Sequence, residues 1–430
     1  MKLLVIGSGG REHAIVWRLQ SSPTVDHIYV APGNGGTAQM QGVTNIDIQN
    51  PSDLRDFAQL QNIDLTIVGP EAPLAQGVVD IFKAAGLRIF GPSQAAAQLE
   101  SSKDFAKRFM QRHNIPTAAY QTFTDAQSAH DYIDLQGVPI VVKADGLAAG
   151  KGVVVAMSLY EAHAAVQAML GDEKLGQAGS RVVIESCLVG EEASFIVICD
   201  GKNIVPLATS QDHKRLLDDD KGPNTGGMGA YSPAPVVSPL LHDRLMKEVI
   251  EPTITGMTAD GIPFQGFLYA GVMIGDGPDA TRDIGVLEFN CRLGDPETQP
   301  IMMRLKSDLL DLFMHATNGS LNHVEVLWHE QPAIGIVLAS AGYPEKAVTG
   351  DIINHIPAPT DDCVVFHAGT TFDDTNTHTA GGRVLCVTAL GPDLAKAQAR
   401  AYETVAKIQF EGAQFRKDIG WRALSSTKTP

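Results

Sequence analysis

The sequence is poor in cysteine, poor in basic residues and free of long apolar runs. Its five cysteines are scattered without a Cys-x-x-Cys pair, which argues against a disulfide framework and a cysteine zinc site and predicts reduced thiols in a cytoplasmic protein. Lysine and arginine number 33 against 49 aspartates and glutamates, a formal net charge of −16, so a surface for nucleic acid or an anionic membrane is not expected. The apolar run Leu3–Ile6, which Gly7 interrupts, is too short for a signal peptide, and no run reaches the ~20 residues that span a bilayer.

What the chain does contain is a regular alternation of strand and helix patterns over residues 1–100, which predicts a doubly wound parallel sheet. A length of 430 residues with 44% apolar composition predicts two to four domains. We place them at 1–100, 101–190, 191–325 and 326–430: a parallel α/β domain, two α+β lobes and a small β-rich domain. Strands are predicted at Lys2–Ile6, His27–Val30, Leu65–Val68, Arg88–Phe90 and Ala333–Ser340. Helices are predicted at Glu12–Gln20, Pro51–Leu60, Leu74–Ala85, Ser101–His113, Leu240–Glu251, Pro300–Ala316 and Asp393–Ile408.

The stretch Val141–Ala156 places lysines on both sides of a glycine-rich turn. It is not a P-loop, because residue 152 is glycine where that motif needs a serine or threonine hydroxyl, and because β-branched residues follow. It therefore predicts a β-hairpin with Lys143 in its first strand and Gly150 and Lys151 at a flexible tip. An ordinary hairpin with solvated lysines is the alternative.

The opening string Gly7–His13 follows a strand and begins a helix. Backbone N–H groups at such a turn favour a phosphate. Glu12 occupies the position of the third glycine of the dinucleotide fingerprint, so a single phosphorylated group is expected and not a dinucleotide. Pro70–Pro73 ends a parallel strand on the same side, where ligands bind in such sheets. The alternative is a tight turn without a ligand.

The string Val286–Arg292 spaces Glu288, Asn290 and Arg292 two residues apart, which puts the three side chains on one face of a strand. A carboxylate beside an amide oxygen suits Mg²⁺, and the arginine fork suits a carboxylate or phosphoryl oxygen. The alternative is a half-solvated polar strand face.

Two other regions give weaker signals. Glu185–Glu192 ends a strand in acidic residues, which is common in proteins without any ligand. Ser210–Arg215 carries adjacent charges ahead of the glycine-rich Pro223–Gly229. That combination suits an anionic substrate under a mobile lid, or a solvated surface loop.

Together these strings resemble the ATP-grasp superfamily, in which two α+β lobes hold the nucleotide, and more specifically the phosphoribosylamine–glycine ligases. The resemblance covers the whole chain. It implies an N-terminal phosphoribosyl-binding domain, small and large ATP-grasp lobes, and a C-terminal β-rich domain. The matching strings are Gly7–Glu12, Gly69–Glu71, Ser102–Lys103, Lys143–Val153, Glu185–Leu188, Gln211–Arg215, Asn224–Gly229 and Glu288–Glu297.

The resemblance also implies roles for individual residues. ATP would be bound by Lys103, Lys143, Gly150, Lys151, Glu185, Leu188 and one of Glu191 and Glu192. The metal, Mg²⁺ or Mn²⁺, would be held by Glu288 and Asn290. The other substrates would be bound by Gly9, Gly10, Glu12, Glu71, Asp212, Lys214, Arg215, Asn224 and Arg292. Lys143, Asp212 and Arg292 would be catalytic.

The implied reaction joins glycine to 5-phosphoribosylamine with ATP, through glycyl phosphate, in purine biosynthesis. A closed active site would keep water from the acyl phosphate. The expected form is a monomer that binds neither nucleic acid nor membrane. The alternatives are another ATP-dependent carboxylate–amine ligase or carboxylase of the same superfamily, and a nucleotide sensor without catalytic activity.

Overall fold

The structure is a computed structural model that describes residues 1–147, 152–171 and 180–426. Gly150 and Lys151, predicted at the tip of the glycine hairpin, lie outside the described residues. Within the described part of the chain, no helix is both long and apolar enough to cross a membrane.

The N-terminal region is a parallel sheet in the order β3-β2-β1-β4-β5 with helices packed on it, which confirms the predicted doubly wound sheet. Asn50 caps the second helix by accepting hydrogen bonds from Ser52 and Asp53 ahead of the first-turn proline. The strands are β1 (Lys2–Gly7), β2 (His27–Pro32), β3 (Val43–Asn45), β4 (Leu65–Val68) and β5 (Ile89–Phe90), and the helices are α1 (Gly10–Leu19), α2 (Pro51–Gln61), α3 (Glu71–Ala75) and α4 (Val78–Ala84).

The next region is an antiparallel sheet in the order β6-β9-β7-β8, covered by two helices. The predicted hairpin is present, with Val142 paired to Val154 and Lys143 paired to Val153. The elements are α5 (Gln98–Ser101), α6 (Lys103–Arg112), β6 (Tyr120–Phe123), α7 (Ala126–Gln136), β7 (Ile140–Ala144), β8 (Val153–Ala156), α8 (Leu159–Gly171) and β9 (Val182–Ser186).

A second antiparallel sheet, in the order β11-β10-β16-β17, carries the predicted metal row. Its strands are β10 (Glu191–Asp200), β11 (Ile204–Pro206), β16 (Gln265–Ile274) and β17 (Ile284–Asn290). Between β11 and β16 lie β12 (Gln211–Asp212), β13 (Arg215–Leu217), β14 (Lys221–Asn224), β15 (Gly229–Ser232), α9 (Pro239–Leu245) and α10 (Glu251–Ala259), and after β17 come α11 (Thr298–Arg304) and α12 (Leu309–Asn318).

The C-terminal sheet has the order β12-β15-β18-β22-β19, so strands from before and after residue 325 pair in one sheet. Through β12 and β15 this sheet holds both ends of the β13–β14 hairpin, which carries predicted substrate residues. The remaining elements are β18 (Ala333–Ala339), β19 (Cys363–His367), β20 (Thr370–Phe372), β21 (Thr377–Thr379), β22 (Arg383–Leu390), α13 (Leu394–Val405) and α14 (Trp421–Ser426).

Two predicted helices are each divided in the structure. The helix predicted at Leu74–Ala85 breaks at Gly77, which has a left-handed φ of 80° and separates α3 from α4. The helix predicted at Pro300–Ala316 ends at Arg304, because Leu305 pairs with Trp328 in an isolated β-bridge. Asp308 then caps a new helix by accepting from the Leu310 N–H.

Candidate active site

Glu288, on β17, lies at the centre of a group of cations. Its partly buried carboxylate has neither a hydrogen bond nor an ion pair with any described residue. Burial raises the pKa of Glu288, but nearby cations outweigh it and leave the pKa below its usual value. A carboxylate that is charged and unpaired is available to a ligand. The cations are Lys103, Lys143, Lys214 and Arg292.

The metal row is built around a β-bulge. Gly271 pairs with Glu288, but the next pair is Val272 with Val286, so Leu287 is the extra residue. The bulge leaves the Leu287 carbonyl to accept a hydrogen bond from Lys143 Nζ at 3.0 Å. β17 ends at Asn290, and Arg292 lies beyond it. The predicted row is therefore two strand residues followed by an arginine outside the strand.

Two lysines of the small lobe converge on one buried carboxylate. Glu185 is 2% exposed and lies 3.0 Å from Lys143 Nζ and 2.8 Å from Lys107 Nζ. Burial lowers the pKa of Lys107 to about 8, although Glu185 opposes that shift. Sequence reasoning missed Lys107. The feature of the sequence that could have indicated Lys107 is its spacing of four residues from Lys103, which puts both lysines on one side of α6.

Lys103 and Leu188 are two more of the ATP residues predicted from the resemblance. Lys103 Nζ donates to the Gly146 carbonyl at 2.9 Å, which ties the start of α6 to the turn after β7. Leu188 packs so closely on Gly285 that a Cβ at residue 285 would lie 2.5 Å from the leucine Cδ1. The Glu185–Leu188 connection thus lies against β17.

A second charged group contains Asp212 and Lys214. Lys214 Nζ forms an ion pair with Glu192. Burial raises the pKa of Asp212 to about 8; Lys214 opposes the rise, and Glu297 and Glu192 add to it. Tyr269 donates to Glu297 Oε1 at 2.9 Å. Sequence reasoning gave no role to Tyr269 or Glu297, although Glu297 closes the matching string Glu288–Glu297.

Glu191 and Glu192 lie on opposite faces of β10, as adjacent strand residues do. Glu191 Oε1 accepts from Gln211 Nε2 at 2.8 Å. Glu192 reaches the face of Glu288, since both side chains approach Gly271. Glu192 is therefore the one of the pair that lies with the cation group.

Arg292 is held by two carboxylates from the first hundred residues of the chain. Arg292 lies 3.2 Å from Glu71 and 2.7 Å from Glu100, and Glu100 also accepts from the Cys291 N–H at 2.7 Å. Sequence reasoning missed Glu100, which is 192 positions before Arg292 in the chain and belongs to no matching string. Burial raises the pKa of Glu100, and Arg292 opposes the rise.

The Glu12 carboxylate is hydrogen-bonded within its own turn. Its Oε2 accepts from the Gly9 N–H at 2.6 Å and its Oε1 from Arg11 Nε at 2.5 Å. A Cβ at Gly69 would lie 2.0 Å from its Oε1. The carboxylate therefore packs against the backbone of the predicted phosphate turn. Gly10, in the same turn, packs against Gln299.

Comparison with known proteins matches the whole chain to one family. Three domains of phosphoribosylglycinamide synthetase match: the N domain over residues 1–100, the ATP-grasp (A) domain over 101–298 and the C domain over 333–422. A phosphoribosylamine–glycine ligase of Ralstonia nicotianae is 61% identical over 424 residues, 99% of this chain and 100% of that protein.

The chain belongs to the phosphoribosylamine–glycine ligase family. The resemblance drawn from the sequence strings is confirmed, and with it the assignment as an ATP-grasp ligase of purine biosynthesis.

Solved structures support the fold of this ligase. The phosphoribosylamine–glycine ligase of Thermotoga maritima has a TM-score of 0.82 at 32% identity, covering 97% of this chain and 100% of that one. The biotin carboxylase domain of Hydrogenobacter thermophilus 2-oxoglutarate carboxylase, in complex with MgADP, ADP and bicarbonate, has a TM-score of 0.72. It is 14% identical and covers 96% of this chain and 91% of its own, so it shows the ATP-grasp fold alone.

The ligase offers few protein ligands for a metal. Among residues 1–147, 152–171 and 180–426, no group of three or more histidine, cysteine, aspartate or glutamate side chains is placed to hold one. Glu288 and Asn290 supply hard oxygen atoms, and no side-chain hydrogen bond to a described residue occupies either of them. This pair fits Mg²⁺, which commonly takes one or two protein ligands and fills its shell with water and phosphate oxygens.

Two of the predicted substrate residues stay outside the cation group. Arg215 Nη1 donates to the Gly222 carbonyl at 2.8 Å, within its own hairpin. Asn224 pairs with Arg215 across the same hairpin. Lys214, between β12 and β13, is the residue of this string whose charge acts on Glu288.

Proposed function

We propose that this chain joins glycine to 5-phosphoribosylamine with ATP, through glycyl phosphate, and releases glycinamide ribonucleotide, ADP and phosphate. The observation that carries the proposal is the unpaired Glu288 carboxylate among four cations from four parts of the chain. Such a group matches a polyphosphate with its metal. The relatives' name supplies the two substrates.

The first step transfers the γ-phosphoryl group to an oxygen of the glycine carboxylate and breaks its bond to ADP. Lys143 and Lys103 would bind the phosphates, and Lys143 is pre-positioned by Glu185 and the Leu287 carbonyl. Glu288 and Asn290 would hold Mg²⁺ or Mn²⁺, which when bound neutralises phosphate charge. A carboxylate becomes an acyl donor only in this way, because oxide is a poor leaving group.

The second step forms the amide bond. The amine nitrogen of phosphoribosylamine attacks the glycyl carbonyl carbon, the bond to phosphate breaks, and the amine loses a proton. Asp212, whose pKa is raised to about 8, would accept that proton in its ionised form, whose fraction grows as the pH rises toward 8. Arg292, fixed by Glu71 and Glu100, would orient the developing phosphate, with the phosphoribosyl group at the Gly9–Gly10 turn.

An oxygen-18 experiment tests this route. Glycine labelled in its carboxylate should release phosphate that carries one labelled oxygen per turnover, because that oxygen leaves with phosphorus. Unlabelled phosphate beside normal product would rule out glycyl phosphate. ADP release that does not depend on glycine and on phosphoribosylamine generated in situ would instead favour another ATP-grasp ligase or a nucleotide sensor.

We also propose that the working form is a cytoplasmic monomer that binds neither nucleic acid nor membrane. The net charge of −16 and the five free cysteines support this. Sedimentation equilibrium at micromolar concentration should return a mass near 45.8 kDa, and a dimer mass would contradict it.

A further inference from the structure

Lys214 is held in place by the last part of the chain. We propose that the segment Arg416–Gly420, here called the C-terminal clamp, positions Lys214 in the active site by fixing the residues on both sides of it. This inference rests on the proposed function, because it assumes that Lys214 acts with Glu288 on the reacting groups. It assigns a positioning role to a segment more than 115 residues beyond the end of the ATP-grasp domain match.

Arg416 fixes the residue after Lys214. The Arg416 side chain is fully buried, at 0% exposed. Its Nε and Nη2 each donate to one oxygen of Asp418 at 2.7 Å, and its Nη1 donates to Asp220 Oδ1 at 2.8 Å and to the Arg215 carbonyl at 3.2 Å. The guanidinium is therefore satisfied on all three nitrogens, and one of its bonds ends on the backbone next to Lys214.

Gly420 fixes His213, the residue before Lys214. The His213 ring is 0% exposed, and its Nε2 accepts from the Gly420 N–H at 2.9 Å. The Gly420 contact requires the Nε2 nitrogen to be unprotonated, which fits a pKa that burial lowers. The clamp thus contributes one contact on each side of Lys214.

The clamp also holds the turn of the hairpin in a conformation that costs energy. Asp219 and Asp220 have left-handed φ values of 60° and 53°, which are uncommon outside glycine, although Asp tolerates them better than most residues. Asp219 N–H donates to Asp418 at 2.9 Å, and Lys417 N–H donates to Asp218 at 2.7 Å. The hairpin carrying Lys214 would relax without these partners.

The active-site end of the hairpin shows why this position matters. Lys214 contacts Glu192, and the charges of Asp212 and Glu288 also act on it. A shift of about 1 Å in a positioned group can lower a rate by about 100-fold. Arg416 touches none of the reacting groups and would act through Lys214 alone, as a positioning residue.

The test compares Arg416→Met with a matched core variant. Val387→Ala opens a cavity in the same C-terminal core, where Val387 is 0% exposed, and it removes none of the hydrogen bonds or ion pairs of the clamp. Arg416→Met should lower kcat for glycine-dependent ADP release by about tenfold or more and leave the KM for ATP within about twofold, since Lys103 and Lys143 are undisturbed. Val387→Ala should keep the wild-type kcat in buffer where both variants are fully folded.

Two further variants keep the test decisive. Arg416→Lys retains the charge beside Asp418 and Asp220, so its kcat should lie between those of the wild type and Arg416→Met. If Arg416→Met does not fold, Asp220→Asn, which keeps the shape of the turn, should give the same fall in kcat. An unchanged kcat in a folded Arg416→Met or Asp220→Asn variant would overturn the inference, as would an equal fall in Val387→Ala.

The inference and the proposed function fail in different ways. If the wild-type enzyme does not release ADP in response to glycine and phosphoribosylamine, the proposed function is wrong. If the wild type has that activity and the clamp variants keep it, only the clamp's role is wrong.

Discussion

Two groups of charged residues in this ligase differ in whether their hydrogen-bonding capacity is used up. The group around Arg416 is complete, because each guanidinium nitrogen has a partner and two carboxylates balance the buried charge. The group around Glu288 is incomplete, because four cations surround a carboxylate that bonds to no described residue. A complete group has no capacity left for a ligand and can only hold other residues in place, whereas an incomplete one retains that capacity and is a functional-site candidate. The difference separates charges that position residues from charges that bind a ligand.

Glu288→Gln gives the largest expected effect on activity. The amide keeps the size of the side chain but removes the charge that a metal requires, so kcat should fall by about 100-fold or more. The free energy of unfolding should fall only modestly, because no protein hydrogen bond is lost and only the attraction of the neighbouring cations is removed. Steady-state rates and urea titration measure both quantities.

The control for that variant is Glu345→Gln, an exposed carboxylate in the C-terminal region, which should match the wild type in both. A Glu288→Gln enzyme with normal activity at limiting magnesium would make Glu288 a simple strand-face carboxylate and remove the contrast between the two groups.

Lys143→Ala should give the next largest effect, on nucleotide affinity. Loss of a hydrogen bond to a charged group costs about 1.5–3 kcal/mol, so the Kd for a non-hydrolysable ATP analogue should rise by about 10- to 150-fold. Calorimetric titration measures it. Lys83→Ala, which removes an exposed lysine bonded to Gln265, should leave the Kd unchanged, and a folded Lys143→Ala enzyme with wild-type affinity would contradict the role of Lys143.

The sequence alone predicted the parts of the site that local patterns encode. Alternation along a strand predicted that the side chains of Glu288 and Asn290 share one face of β17. The glycine-rich turn between two β-branched runs predicted the hairpin that carries Lys143. The bulge at Leu287 was not predictable in this way, because it depends on the register with β16. The same limit applies to the position of Arg292 outside the strand.

Contacts between distant parts of the chain were beyond local reasoning. Arg416 and Asp220 are 196 positions apart, so no local pattern in the sequence links them. The resemblance implies that Glu12 binds substrate, and the structure adds a contact that no local pattern predicted: its carboxylate accepts a hydrogen bond from the Gly9 N–H and lies close against Gly69.

The breaks in the two divided helices were also not predicted. Helical periodicity continues across Gly77, whose left-handed backbone ends the first helix, and the second helix ends where Leu305 pairs with the distant Trp328.

The charged group around Arg416 should make the stability of the fold depend on pH in acid. The neighbouring His213 ring and the Arg416 and Arg422 guanidinium groups hold the pKa of the Asp220 carboxyl well below its usual value. A carboxyl with a lowered pKa in the folded state adds stability above its unfolded pKa, and that stability is lost as pH falls below about 4. In urea titrations from pH 7 to pH 2, Asp220→Asn should therefore lose less stability than the wild type. If the wild type and Asp220→Asn lose stability equally as the pH falls, the Asp220 carboxylate does not contribute this stability.

The smallest expected effect is a difference in the KM for ATP between variants of two neighbouring residues on β10. Glu192 shares a face with Glu288 and pairs with Lys214, whereas Glu191 accepts a hydrogen bond from Gln211 on the opposite face. Glu192→Gln should raise the KM for ATP by about threefold to tenfold, the loss of one charge-assisted contact in a partly exposed site. Glu191→Gln keeps an acceptor for Gln211 and should stay within about twofold of the wild type. The two variants change neighbouring residues in the same way, so each is the control for the other. A larger effect at Glu191 would mean that the nucleotide lies on the Gln211 face, away from the cations around Glu288.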